Sequence, residues 1–140
     1  MRCDQRGLSV SVEAAVIIPV LLLFVGLVIT SARVAIAEQH VGAAAAAGAR
    51  AASLERTVGP AREAATTAAG RVLAQHGTHC RHTAVVVDSS GVARGLGERA
   101  AVGVTVQCSV DLSDVSLPGV PGTITVAASR NSPVDPLRGR

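Results

Sequence analysis

Glu13-Ala14-Ala15-Val16-Ile17-Ile18-Pro19-Val20-Leu21-Leu22-Leu23-Phe24-Val25-Gly26-Leu27-Val28-Ile29-Thr30-Ser31-Ala32-Arg33 has an acid at its start, a base at its end and no charge between them. The 19 uncharged residues 14–32 make about 28 Å of helix at about 1.5 Å per residue, which fits a bilayer core of about 30 Å. The run predicts a membrane-spanning helix near the N-terminus. Glu13 at its edge is costly at membrane depth and asks for a cationic partner, unless it reaches headgroups and water. Pro19 falls inside the run. It would break a helix in water but is tolerated in a membrane helix, where it often marks a kink. Gly26 is a second soft point.

The flanks set the expected orientation. Arg2, Arg6 and the α-amino group precede the run, partly offset by Asp4, whereas Arg33 and Glu38 cancel beyond it. The positive-inside rule then places the N-terminus in the cytoplasm and the remainder outside. A competing reading is a secretory signal peptide cut after Ala37, at the small-x-small site Ala35-Ile36-Ala37. Against it, the apolar run is longer than the usual centre of about 7–15 residues.

Beyond the span the chain stays Ala-rich, and the helix is expected to continue to about Leu54. Ala44, Gly48 and Ala52 recur at four-residue spacing, which either lets helices approach closely or reflects alanine bias alone. Gly59-Pro60 predicts a break, with Pro60 opening a second helix whose body is residues 61–75. Gly77 is its expected stop. From Thr83 the period changes to two. Thr83-Ala84-Val85-Val86-Val87 reads as a strand, and residues 91–97 as a Gly-rich turn. Val102, Val104, Val106, Cys108 and Val110 then alternate with polar or small residues, the pattern of a strand with one buried face. Leu117-Pro118-Gly119-Val120-Pro121-Gly122 reads as a loop. A last strand covers 123–129, with Ile124, Val126 and Ala128 on one side. The expected fold is α+β: a long N-terminal transmembrane helix extended into an Ala-rich helix, a second helix, and a small antiparallel sheet of about three strands. The expected divisions are a cytoplasmic leader (1–7), the membrane and extended helix (8–57), an extracytoplasmic α+β domain (58–131) and a flexible tail (132–140).

Composition excludes more than it specifies. The chain has 140 residues and a net charge of +3, and all 13 basic residues are Arg. Phe24 is the one aromatic residue. With scattered arginines and no stacking platform, no nucleic-acid partner is expected. Cys80 and Cys108 follow the span. If they lie outside the cytoplasm they can oxidise, closing a loop of roughly 29 residues worth about 3–4 kcal/mol. The alternative is two buried thiols. His79-Cys80-Arg81-His82 is the one ligand-like cluster, but it lacks the second half of a structural zinc site. A turn with solvated histidines is expected there, with no metal and no cofactor. Residues 91–97 lack the Lys-Ser/Thr ending of a phosphate loop. Ser9 and Ser11 have no general base nearby, and Asp111 and Asp114 read as a solvated turn. No enzymatic activity and no small-molecule substrate are expected.

The stretch Arg6-Gly7-Leu8-Ser9-Val10-Ser11-Val12-Glu13-Ala14-Ala15-Val16-Ile17-Ile18-Pro19, followed by the Ala-rich Ala44-Ala45-Ala46-Ala47-Gly48-Ala49-Arg50-Ala51-Ala52, resembles the TadE-like family. These are small pseudopilins of the tight-adherence (Flp-type) pilus assembly system. The ending Ser132-Pro133-Val134-Asp135 resembles actinobacterial members. The resemblance implies cleavage after Gly7 by a prepilin-type peptidase, leaving Leu8 as the new N-terminus. It also implies that Glu13 pairs with the terminal amine of a neighbouring subunit, and that Glu13 and Pro19 serve helix assembly. Here Glu13 is the sixth residue after Gly7, where the family commonly has the fifth, and Ala14 stands where an aromatic often follows. An uncut single-pass subunit is the alternative at the leader. The expected partners are the membrane, other pilin-like subunits and the pilus machinery. A single-pass envelope anchor with no pilus role is the remaining rival.

Overall fold

The computed structural model describes residues 6–95, 97–112 and 122–136, and of residues 6–12 the backbone alone. Met1 to Gln5, Asp114, most of the 117–122 loop and the last four residues lie outside the described residues. The chain order is helix α1 (Arg6–Leu54), helix α2 (Val58–Gln75), strand β1 (Cys80–Asp88), a 3₁₀ turn (Ser90–Ala93), strand β2 (Ala100–Asp111) and strand β3 (Thr123–Val134). The three strands form one antiparallel sheet in the order β1-β2-β3.

α1 is 49 residues long and contains Pro19 without interruption. Its two parts have opposite surroundings. From Val16 to Ile29 the large apolar side chains are exposed on every side of the helix. From Ala37 to Ala52 one face is buried, through Ala37, Val41, Ala44, Ala45, Ala49 and Ala52. The helix ends at Leu54 and α2 turns back along it, so the two form an antiparallel hairpin. The small-residue spacing in α1 is a packing device. A Cβ built on Gly48 would lie 3.0 Å from the Ala65 carbonyl oxygen of α2 and 3.3 Å from Val104 Cγ1 of β2. Gly48 therefore sits where both the second helix and the sheet press on α1.

The break between the helices comes earlier than Gly59-Pro60 predicts. The turn is at residues 55–57, and α2 begins at Val58 with Thr57 as its N-cap, whose carbonyl accepts from the Ala61 N–H at 3.1 Å. Pro60 is thus the third helical residue rather than the first. The first four N–H groups of a helix have no partner within it, so the missing donor costs nothing there. A residue before proline normally resists helical geometry through its Cβ, and Gly59 has none. The C-terminus follows expectation: Gly77 has φ +60°. Thr78 N–H donates to the Leu73 carbonyl and Gly77 N–H to the Ala74 carbonyl, the paired bonds of a Schellman motif.

The alternation in β2 predicts its faces correctly. Val102, Val104, Val106 and Cys108 are buried against the helices, whereas Thr105, Gln107 and Ser109 face outward. On the outer face, hydroxyl pairs bridge β2 and β3, Thr105 to Ser129 at 2.8 Å and Ser109 to Thr125 at 3.1 Å. Two strands run further than the alternation predicts. β1 begins at Cys80, so Cys80, Arg81 and His82 are strand residues and not a turn, with a bulge between Cys80 and His82. β3 continues to Val134, which pairs with Ala100 and is buried, so residues 132–134 are not part of a flexible tail. Ser132 Oγ donates to Ser53 Oγ at 3.1 Å and ties this end of β3 to α1. Inside the expected 91–97 turn, Gly91 and Val92 are buried, because a side chain at Gly91 would overlap the Ala101 backbone.

The core is narrow. Its largest fully buried side chains are Val41, Val102, Val104, Val106 and Cys108. Small side chains bring the layers close but each removes little apolar area from water. The covalent bond between Cys80 and Cys108 therefore matters in proportion. It joins β1 to β2 with a Cα–Cα distance of 5.3 Å, and Cys108 is wholly buried.

Candidate functional site

The exposed half of α1 is the feature that packing alone does not explain. A surface helix of a globular protein buries one stripe, and a helix apolar all round is buried in something. Here Leu22 is 65% exposed and Phe24 62% exposed, and among the described residues no element covers them. The helix is long and apolar enough to cross a membrane. Thr30 and Ser31 lie near the C-terminal end of the apolar run, and their hydroxyls donate to the Gly26 and Leu27 carbonyls one turn back, at 2.9 Å and 2.8 Å. Both hydroxyls are thus satisfied within the helix, the condition a polar group must meet in hydrocarbon.

Glu13 lies on α1 and is exposed. By helical spacing it shares a face with Ile17, Val20 and Phe24, so one carboxylate stands at the head of an apolar stripe. It is about 30 Å from Arg33 along the axis, at about 1.5 Å for each of the intervening residues. Pro19 is one and a half turns beyond Glu13. Having no N–H, it leaves the Ala15 carbonyl without its usual helical donor. The two residues thus place an acid and a weakened turn in the same short stretch. Gly7 and Leu8 lie within the helical backbone of α1.

The histidine cluster expected at 79–82 divides between a loop and a strand. Sequence reading treats it locally and misses its spatial neighbours. His40, from the middle of α1, stacks on His76 at the end of α2 with ring centroids 4.3 Å apart and planes inclined by 13°. His40 Nδ1 and the Thr78 hydroxyl are hydrogen-bonded at 2.9 Å. The two histidines are 36 residues apart in sequence, and the turn between α1 and α2 brings their rings together, which no local pattern reveals. Among the described residues there is no group of three or more His, Cys, Asp or Glu side chains arranged to hold a metal ion. Arg81 pairs with Asp111 where the start of β1 meets the end of β2, with Nη2 2.6 Å and Nε 2.8 Å from Oδ2. Asp111 is therefore a partner in a strand-end ion pair. At the opposite end of the sheet Asp88 accepts from the Ser90 N–H at 3.1 Å. Hydrogen bonds from the Ser90 side chain and backbone hold the Asp88 carboxyl below its ordinary value.

Ala35-Ile36-Ala37 lies in unbroken helix, and Ala37 is 6% exposed in the domain core. The helix that would span the membrane is therefore also a wall of the folded domain.

Residues 9–50 match the family described as TadE-like protein. This stretch is similar to that family. It takes in Glu13, Pro19, the exposed apolar run and most of the α1 face that packs on the domain. A TadE-like segment implies a membrane protein related to pilus assembly. No curated protein and no solved structure matches the chain. The family match ends within α1, so α2 and the sheet are described by their own geometry alone.

Proposed function

We propose that this protein is a non-enzymatic, single-pass minor pilin-like subunit that acts in assembly of a tight-adherence (Flp-type) pilus. The observation that carries the reading is one TadE-like helix with two surroundings, exposed and apolar around Glu13 and packed as core from Ala37. The N-terminus is cytoplasmic and the α+β domain extracytoplasmic, the side on which Cys80 and Cys108 can stay oxidised. Lipid solvates most of the exposed helix, and helices of other pilin-like subunits take the rest.

Glu13 supplies the recognition step. A prepilin-type peptidase cuts after Gly7 and leaves Leu8 with a free, positively charged amine. The Glu13 carboxylate of one subunit then pairs with the amine of a neighbour, which offsets the cost of an acid at membrane depth. Pro19 loosens the adjacent turn, so the first turns of the helix can tilt toward that neighbour.

Two measurements test the proposal. Mass spectrometry of the mature protein from membranes should find Leu8 at the N-terminus; a start at Glu38 would replace the subunit with a secreted domain. Glu13→Ala should still insert but should lower piliation at least tenfold, the effect of about 1.4 kcal/mol lost from one ion pair. Normal piliation in that variant removes Glu13 from the mechanism.

A further inference from the structure

All four histidines of the chain lie at one end of the domain, the end from which the apolar stretch of α1 departs. His40 and His76 are stacked there. His79 lies beside them in the α2–β1 loop, and His82 pairs with Ser109 on the adjoining rungs of the sheet. An open cleft of ≈ 370 Å³ at this end is lined by Arg33, Ile36, His40, His76, His79 and Leu112, among others. We infer that this end of the domain is a docking surface for anionic phospholipid headgroups, engaged as the histidines become protonated. The inference rests on the membrane-spanning reading of α1.

The length of α1 fixes where the collar sits. The uncharged run ends at Arg33, and His40 is seven residues further along the same helix, about 10 Å at about 1.5 Å per residue. The headgroup layer extends roughly 5–8 Å beyond the hydrocarbon on each side. An unbroken helix holds the cleft at the outer edge of that layer, and His76 and His79, which line it, are exposed.

Charge supplies the second argument. Among the described residues, the fixed charges that line the cleft are Arg33 on α1 and Asp111 on β2. They balance. With neutral imidazoles the collar therefore has no attraction for an anionic surface beyond hydrogen bonding. Histidine is the side chain whose charge changes between about pH 5 and 8. Protonating His40, His76 and His79 adds up to three positive charges along the cleft. The stacked rings of His40 and His76 then repel each other, and a phosphate beside them relieves that repulsion. Each added positive charge near an anionic lipid surface raises occupancy by a factor of roughly five.

The test uses the full chain in lipid nanodiscs, either phosphatidylcholine alone or with about one third phosphatidylglycerol. Amide hydrogen exchange is compared between the two lipids at fixed pH, once near about pH 7.5 and once near about pH 5.5. Exchange over residues 76–82 and 110–112 should slow about fivefold or more in the anionic discs at the lower pH, with little difference at the higher. The double variant His76→Gln, His79→Gln should lose most of that slowing while exchange over the buried strand 102–108 stays as in the parent. Equal exchange in the two lipids at low pH, in protein whose residues 16–29 remain protected, overturns the collar and leaves the span intact. Free exchange over 16–29 overturns the span, and the collar with it. Equal slowing by inorganic phosphate in phosphatidylcholine discs assigns the site to a soluble anion and overturns the lipid assignment.

Discussion

Gly48 and Gly70 are both helical glycines, one in α1 and one in α2, and replacing each by alanine should move stability in opposite directions. Alanine gains about 1 kcal/mol over glycine in a helix interior. At Gly70 nothing lies within 4 Å of the added Cβ, so the gain is kept. At Gly48 the Cβ would stand 3.0 Å from the Ala65 carbonyl oxygen and 3.3 Å from Val104 Cγ1. One neighbour is backbone and the other is a buried valine of the central strand, so neither can rotate away. To make room, α2 must shift by a few tenths of an ångström, and Ala61, Ala65 and Ala69 shift with it. Overpacking of this kind costs about 1–3 kcal/mol. The cost exceeds the propensity gain, so Gly48→Ala should be net destabilising by about 1 kcal/mol and Gly70→Ala net stabilising by about as much. The gap of about 2 kcal/mol corresponds to roughly 10 °C in midpoint for a domain of this size. Scanning calorimetry of the two full-length variants in one detergent reads it directly. If Gly48→Ala melts at or above the parent, α1 and α2 do not pack as closely as described and the small-residue stripe is alanine bias.

The other predictions concern the bridge, the 3₁₀ turn and the acid. The Cys80–Cys108 bond spans 28 residues of sequence, and the chain-entropy relation gives about 3.5 kcal/mol for such a loop. The double variant Cys80→Ala, Cys108→Ala should lower the urea midpoint accordingly, whereas an unchanged midpoint on reduction would show that the bond constrains nothing. Asp88 has a lowered carboxyl value in the fold, so its contribution is present above the unfolded carboxylate value of about 3.9 and is lost as pH falls through the lower folded value. Protection of the Ser90 amide should therefore survive to below about pH 3.9 and then fall, and loss above that range would contradict the hydrogen-bond assignment. Glu13→Gln, which keeps the shape but removes the charge, should behave like Glu13→Ala in piliation, and full activity in the glutamine variant would replace ion pairing by simple hydrogen bonding.

Local patterns carried most of the fold. The end of α1 at Leu54, the faces of β2 and the Gly77 stop each follow from composition or spacing within a few residues. The errors sit where neighbours override local preference. Residues 80–82 look like a turn because Arg and His are polar, but the outer face of β1 tolerates them once β2 offers Ser109 and Val110 as partners. Residues 132–134 look like a tail because of Pro133, but a proline is allowed on an edge strand, and β3 is one. Of the site, Glu13, Pro19 and the apolar run were legible because a membrane helix is a local property. The meeting of His40 with His76 was not, because it depends on how far α2 returns along α1.

α1 is shared between the exposed stretch and the core, and this gives the protein a mechanical character. A force drawing on the N-terminal part of α1 cannot slide it out past a passive cap, because residues 37–52 are one wall of the domain. Extraction must either carry the whole folded body along or strip that wall and unfold the domain. The disulfide joins β1 to β2 and includes no residue of α1, so it keeps the sheet stapled while the helix is drawn away. The domain thus works as a stopper knotted into its own rope: a pull along α1 meets a hard stop until the wall formed by residues 37–52 is stripped away.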